Sequence, residues 1–121
     1  MILADTSIWI EHLRSGVPAL TVALERGVVL THTLVLGELA CRNQTNRRKV
    51  LQLLADLPAA PVATHIEALE FIERRALMGR GIGYVDVHLL ASVVLDGAAR
   101  LWTLDKRLAK VGKDLKLAYV E

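Results

Sequence analysis

The chain has 121 residues, of which 53% are hydrophobic, and its 15 basic and 13 acidic residues leave a net charge of +2. This length excludes two domains and predicts a single domain over residues 1–121. One cysteine, Cys41, excludes an internal disulfide and is typical of a reducing compartment. The apolar stretches are shorter than the ~20 residues of a membrane helix, and no signal-peptide pattern opens the chain. We therefore expect a cytoplasmic protein without membrane contact.

The hydrophobic content exceeds what a small domain buries easily, which predicts a partner surface for a homodimer, a bound protein or both. Two basic groups interrupt the near-neutral charge. They contain Arg42, Arg47, Arg48 and Lys49 in the first group, and Lys106, Arg107, Lys110, Lys113 and Lys116 in the second. Around an acidic pocket such groups favour a phosphodiester substrate, although they are equally typical of solvated helix faces.

Strand and helix signals alternate along the chain. The strand at residues 2–4 leads through Asp5 into a helix, and the strand at residues 28–30 precedes a helix that carries Glu38 on or beside its apolar face. The helices are predicted at residues 6–13, 18–27, 34–42, 49–57, 64–78, 84–95 and 105–111. The strands are predicted at residues 2–4, 28–30, 60–63, 100–104 and 115–120.

Three of these elements carry more specific expectations. Pro61 in the third strand indicates a sheet edge, because proline cannot donate to a β-ladder. The helix at residues 64–78 is expected to face inward through Ile66, Leu69, Ile72 and Ala76. The helix at residues 84–95 is apolar almost all round, which is typical of a helix buried between layers. The alternation as a whole predicts an α/β fold with a mostly parallel sheet of about five strands.

Four carboxylates lie at junctions of these elements: Asp5, Glu38, Asp86 and Asp105. Ligands of parallel sheets bind beyond the carboxyl ends of the strands, so we expect the four to meet at that edge. Clustered carboxylates repel one another unless a cation neutralises them, and Mg²⁺ or Mn²⁺ suits such oxygen ligands. Each aspartate alone could instead cap or stabilise a helix start, whereas Glu38 inside an apolar helix would be costly without a function.

Other polar and aromatic residues are less diagnostic. The hydroxyls of Thr6, Ser7 and Thr103 adjoin the acids and could orient a carboxylate, or could serve as caps and turn formers. The four histidines, His12, His32, His65 and His88, lack metal-ligand spacing and are expected at the surface or an interface. Cys41 is expected in the core or an interface. Trp9 and Trp102 are expected as core anchors.

These segments together form a recognisable pattern. ILADTSIWI, LVLGELA, GIGYVDVHLLASVVL and LWTLDKRL, in this order, resemble the PIN-domain ribonucleases, and the compact length is similar to VapC-type toxins of bacterial toxin–antitoxin pairs. The resemblance covers essentially the whole chain. Valine and histidine after Asp86 replace the smaller residues expected in the family.

The resemblance implies a three-layer α/β/α sandwich and Mg²⁺- or Mn²⁺-dependent cleavage of RNA. The family's acidic positions map onto Asp5, Glu38, Asp86 and Asp105, with Asp5 and Asp86 as the principal ligands of a first metal ion. It further implies a homodimer and a VapB-like antitoxin that covers the active cleft. DNA would be contacted only indirectly, through the antitoxin.

Three other interpretations fit the sequence less well. A phosphatase of the haloacid-dehalogenase type needs an aspartate two residues after Asp5, where this chain has Ser7. A receiver-like module needs a phosphate-accepting aspartate after the third strand and a lysine after the fifth, and neither is present at those places. A PIN-like scaffold or RNA-binding subunit would have no reason to keep four costly carboxylates together.

Overall fold

A short parallel sheet lies at the centre of the computed structural model, which describes residues 1–121. Its central strand is β1 (Ile2–Ala4), flanked by β2 (Val29–Leu30) and β3 (Arg100–Trp102), both parallel to it. Successive residues of a strand point to opposite faces, and all three residues of β1 are buried. Both faces of the sheet are therefore covered, which confirms the predicted α/β class with three layers.

The predicted third and fifth strands, at residues 60–63 and 115–120, are reduced to single bridges at the two edges. Thr31 pairs with Ala59 beyond β2, and Leu101 pairs with Ala118 beyond β3, both in parallel. The sheet thus has three strands, and the prediction of about five was wrong in number. Pro58 and Pro61 flank the first bridge, and a proline has no N–H with which to extend a ladder. The predicted strand at residues 60–63 is accordingly absent.

Seven helices complete the fold. They are α1 (Thr6–Ser15), α2 (Pro18–Glu25), α3 (Thr33–Ala40), α4 (Arg47–Ala55), α5 (His65–Arg75), α6 (Tyr84–Asp96) and α7 (Lys106–Asp114). The predicted helices correspond to these seven with shifted ends. Pro18 opens α2 as expected, since its fixed φ suits the first helical turn. Gly97 ends α6 at a φ of 82°, where a residue with a Cβ would be strained. No helix is long and apolar enough to cross a membrane.

Helix α6 is the buried helix that the sequence predicted. Its residues from Val87 to Val93 are all buried, and it packs against β3 and α5. Trp9 and Trp102 are also buried, which confirms them as core residues.

The inward face of α5 was predicted only in part. Ile72 is half-buried and packs against the core as expected, whereas Ala76 is exposed. Ala68 and Phe71 are its buried residues, whereas Ile66 is 65% exposed and Leu69 is 45% exposed. Apolar residues surround much of this helix, so periodicity alone did not decide which stripe meets α6. The capping box between Thr64 and Glu67 sets the start of α5.

The histidine and cysteine predictions need correction as well. His32 is fully buried and His88 is 7% exposed, so these two are core residues. His32 accepts from the N–H of Leu34 at the start of α3, and its other ring nitrogen lies 2.9 Å from the Ser92 hydroxyl. These bonds satisfy an imidazole inside the core. Cys41 is exposed, so it does not belong to the core.

Candidate acidic site at the carboxyl ends of the strands

Asp5 is the anchor of the acidic edge. It follows β1 directly, is 6% exposed, and its Oδ1 accepts from the N–H of Ile8 at 3.2 Å, which caps α1. The hydroxyls of Ser7 and Thr103 also donate to the two carboxylate oxygens. Burial raises the pKa of Asp5 above its ordinary value, although these hydrogen bonds lower it in part. Asp5 thus caps α1, and its carboxylate is at the same time fixed in a position that water barely reaches.

Asp105 reaches the same edge after β3. Its Oδ1 accepts from the N–H groups of Arg107 and Leu108 at 2.9 and 3.0 Å, so it caps α7. The hydroxyl of Thr103 accepts from the N–H of Asp105 at 3.0 Å and donates to Asp5. One threonine therefore ties the two aspartates together across β1 and β3, while Oδ2 of Asp105 makes no hydrogen bond to the protein.

Glu38 approaches from α3. Its Oε1 accepts from the Thr6 hydroxyl at 2.5 Å, one residue after Asp5. Glu38 is exposed, because Val35 and Leu39 form the buried stripe of α3. The expectation that its carboxylate would be costly inside an apolar face was therefore wrong. The contact with Thr6, the residue after Asp5, is what brings Glu38 to the acidic edge.

Asp86 lies half-buried in the first turn of α6. Its Oδ2 accepts from the N–H of Gly83 at 3.1 Å, so it also stabilises a helix start. Its pKa is raised, chiefly by burial, and further by the negative charges of Asp105, Asp5 and Glu38 in that order. The effect of these three charges on Asp86 indicates that all four predicted acids lie near one edge of the sheet.

The carboxylates do not form a ready coordination shell. No three His, Cys, Asp or Glu side chains lie close enough together to hold a metal ion. The hydrogen bonds described above instead hold each carboxylate at its own helix end or hydroxyl. The all-oxygen donor set and its unneutralised charge nevertheless fit a hard divalent cation. The four carboxylates therefore suit such a cation by the chemistry of their oxygen atoms. Their side chains would have to rotate before they could bind one ion together.

Arg107, which belongs to the second basic group, lies beside this edge. A Cβ built on Gly81 would lie 2.7 Å from Cδ of Arg107, so the arginine side chain lies directly against the loop before α6. This packing holds the start of α7 beside the loop that carries Gly83, the backbone partner of Asp86. The sequence shows Gly81 in a glycine-rich turn, but it does not show that Arg107 packs against this turn.

Comparisons with known proteins point to one family. The family model described as PIN domain matches residues 2–114. Two curated relatives from two strains of Mycobacterium tuberculosis, both named Ribonuclease VapC32, are 49% identical over 121 residues. Each alignment covers 100% of this chain and 98% of the relative.

Proposed function

Because the chain belongs to the PIN-domain family, we propose that it is a metal-dependent endoribonuclease and the toxin of a VapBC-type toxin–antitoxin pair. The catalytic part is supported by the gathering of Asp5, Glu38, Asp86 and Asp105 at one edge, where the pKa of Asp86 is raised chiefly by burial and further by the charges of the other three. An edge of four carboxylates is an oxygen donor set with which a phosphodiester hydrolase can hold metal ions.

Asp5 and Asp86 would hold the first metal ion, because they are the two less exposed carboxylates and both have raised pKa values. Glu38 and Asp105 would complete the site from its exposed side. A bound Mg²⁺ or Mn²⁺ supplies Lewis-acid polarisation of the phosphodiester and lowers the pKa of the attacking water.

The chain's own hydroxyls would position these acids. Thr103 and Ser7 orient Asp5, and Thr6 orients Glu38, each through the hydrogen bond described above. No covalent protein nucleophile is needed for hydrolysis by water. The RNA would be single-stranded or looped.

The test is an EDTA-sensitive RNA cleavage assay on the pure protein. Asp5→Asn should lose cleavage and Mn²⁺ affinity by calorimetry, while Asp114→Asn, an exposed carboxylate paired with Arg80, should keep both. Activity that survives in Asp5→Asn would identify a contaminating nuclease or a non-catalytic PIN-like module.

Asp105→Asn separates capping from catalysis. Asparagine keeps a side-chain oxygen for the N–H groups of Arg107 and Leu108 and loses only the charge. We expect normal thermal unfolding and a loss of cleavage of roughly 10- to 100-fold, the usual effect of weakening a metal environment. Cleavage at the parent rate would leave Asp105 as a helix cap alone.

The protein partners follow from the exposed apolar surface. Large hydrophobic side chains remain exposed on several helices, among them Val22, Leu53, Ile66, Leu69 and Leu95. Such side chains support a homodimer and a VapB-like antitoxin as partners. The protein would act in the cytoplasm, and any DNA contact would come from the antitoxin.

A further inference from the structure

We infer that Arg107 is a catalytic residue of the proposed ribonuclease, and that its guanidinium binds the phosphate that is cleaved at the acidic edge. This inference rests on the proposed function and adds a group that the four carboxylates lack, a cation that belongs to the chain itself. Its basis is the contact between Arg107, at the start of α7, and Gly81, in the loop before α6.

The position of Arg107 follows from the two helix starts that it connects. Asp105 caps α7 and accepts from the backbone N–H of Arg107 at 2.9 Å. Asp86, in the first turn of α6, accepts from the N–H of Gly83 at 3.1 Å. The side chain of Arg107 extends from the first of these helix starts to Gly81, two residues before Gly83. It therefore connects the segments that hold two of the four acids.

Gly81 leaves the space that the side chain of Arg107 fills. An ideal Cβ on Gly81 would lie 2.7 Å from Cδ, 3.1 Å from Nη1 and 3.3 Å from Nε of Arg107. Any other residue would place its Cβ where the arginine now lies. Gly81 also has a φ of 81°, a conformation that L side chains rarely adopt. The space and the backbone conformation both favour glycine here, and the contact places the guanidinium against the loop.

The guanidinium of Arg107 has no partner within the protein. None of the three ion pairs of the structure includes it, and none of the side-chain hydrogen bonds has it as donor. Arg80, by contrast, pairs with Asp114 at 2.7 Å. An arginine that lies beside an acidic edge and pairs with none of its carboxylates is available to an anion from outside the chain.

Phosphate is the anion that suits this guanidinium best. The planar group presents N–H donors that match two oxygens of one phosphate, and it stays charged at physiological pH. Charge on the phosphate oxygens is redistributed during hydrolysis, and a donor already in place stabilises the charge that develops. Arg107 would form no covalent bond and exchange no proton, so the attacking water and the leaving oxygen are those of the proposed hydrolysis.

The charge at the start of α7 is consistent with an anionic ligand. Beyond the cap Asp105, the first turn of α7 contains Lys106 and Arg107 and no acidic residue. Positive side chains at a helix N-terminus oppose the macrodipole, so this arrangement is unfavourable in the free protein. A phosphate bound by Arg107 would offset it.

The first test compares Arg107→Gln with the parent in steady-state RNA cleavage. We expect kcat to fall roughly 100- to 1,000-fold, the usual effect of removing one donor to transition-state charge, and KM to change much less. Arg107→Lys should remain well below the parent, because an ammonium keeps the charge and loses the paired N–H groups. Lys113→Gln removes the same charge from the exposed last turn of α7 and should keep the parent's kcat.

Gly81→Ala tests the contact without changing Arg107. The added Cβ would displace the arginine side chain, so kcat should fall although the guanidinium is still present. Gly79→Ala is the matched control, because Gly79 has a similar φ of 72° and nothing within 4 Å of its Cβ position. Both alanines should lower the melting temperature, and only Gly81→Ala should lower kcat. In Arg107→Gln, the further change Gly81→Ala should have no effect on kcat.

Two readouts separate phosphate binding from a structural role. Mn²⁺ affinity by calorimetry should not weaken in Arg107→Gln, because the substitution removes a positive charge beside the carboxylates. Guanidinium ion, at concentrations too low to unfold the protein, should restore part of the cleavage by Arg107→Ala. It should not stimulate Lys113→Gln.

The contrary outcomes are separate from one another. The parent's kcat in Arg107→Gln, or a change confined to KM, would overturn the role of Arg107 at the cleaved phosphate while the ribonuclease proposal stands. Weaker Mn²⁺ binding by Arg107→Gln would overturn it as well, in favour of a structural role at the acidic edge. A parent without EDTA-sensitive cleavage would overturn the proposed function itself.

Discussion

Asp86 lowers the stability of the free protein while it serves the proposed activity. Its carboxylate is half-buried and surrounded by three other acids, so its pKa is raised. A raised pKa means that the folded state binds a proton more tightly than the unfolded state does. The ionised form present at pH 7 therefore destabilises the free protein.

Asp86→Asn should consequently be more stable than the parent in EDTA at pH 7 while losing RNA cleavage. Asparagine keeps an oxygen for the N–H of Gly83 and removes the repelled charge. We expect the melting temperature to rise by roughly 2–5 °C, as measured by calorimetry. The matched control, Asp114→Asn, removes an attractive pair with Arg80 and should not raise it. A lower melting temperature for Asp86→Asn would show that charge repulsion at this edge is negligible.

At the scale of elements, α3 depends on a buried histidine for its first turn. The Nδ1 atom of His32 accepts from the N–H of Leu34 at 3.0 Å, which requires a neutral ring. Burial, and then the neighbouring His88, lower the pKa of His32. The unfolded chain takes up a proton near the ordinary histidine value of about 6.5, and the folded chain does so only at lower pH.

The free energy of unfolding should therefore fall as pH decreases from about 7 through 6.5, and this loss should be complete below the lowered pKa of the folded state. His32→Asn keeps an acceptor for the N-cap and does not titrate. Its stability will be lower because a cavity forms, but urea titrations should show a shallower loss between pH 7 and 5. An equal slope in parent and variant would assign the pH dependence to other groups, such as His88.

At the scale of the whole molecule, many of the apolar side chains that the core does not bury lie on exposed helix faces. Ile66 and Leu69 lie on the side of α5 that does not meet α6, and Val94 and Leu95 at the end of α6 are exposed as well. A chain with 53% hydrophobic residues and three short strands cannot cover all of them itself. The homodimer proposed above would cover some of these side chains with a second copy of the chain.

Leu69→Glu should therefore lower self-association without lowering the stability of the monomer, since Leu69 is already 45% exposed. Sedimentation equilibrium should show a dissociation constant at least about tenfold higher than the parent's, because a charge is buried without a partner. Val22→Glu on α2, which is equally exposed, is the matched control and should leave the dissociation constant unchanged. The same dissociation constant in both variants and the parent would move the dimer contact away from α5.

Local sequence determined the elements that depend on neighbouring residues. Asp5 after a short apolar strand, Pro18 at a helix start and Gly97 at a helix end each act within one turn of the chain, so their effects could be predicted from the sequence. The segments around the four acids also identified the family, which the comparisons confirmed. The parallel sheet followed from the alternation of strands and helices.

Tertiary structure decided what depends on residues far apart. The packing of helices against each other and the sheet decided that Phe71 rather than Ile66 is buried, that Glu38 is exposed and that His32 is buried beside Ser92. The hydrophobic pattern of each helix was compatible with more than one such packing. Both outer strands are reduced to single bridges, and Pro58 and Pro61 limit the ladder at the Thr31–Ala59 bridge. The effect of the other three acids on Asp86 likewise depended on the tertiary structure, since electrostatic energy depends on distance in space and not on separation along the chain.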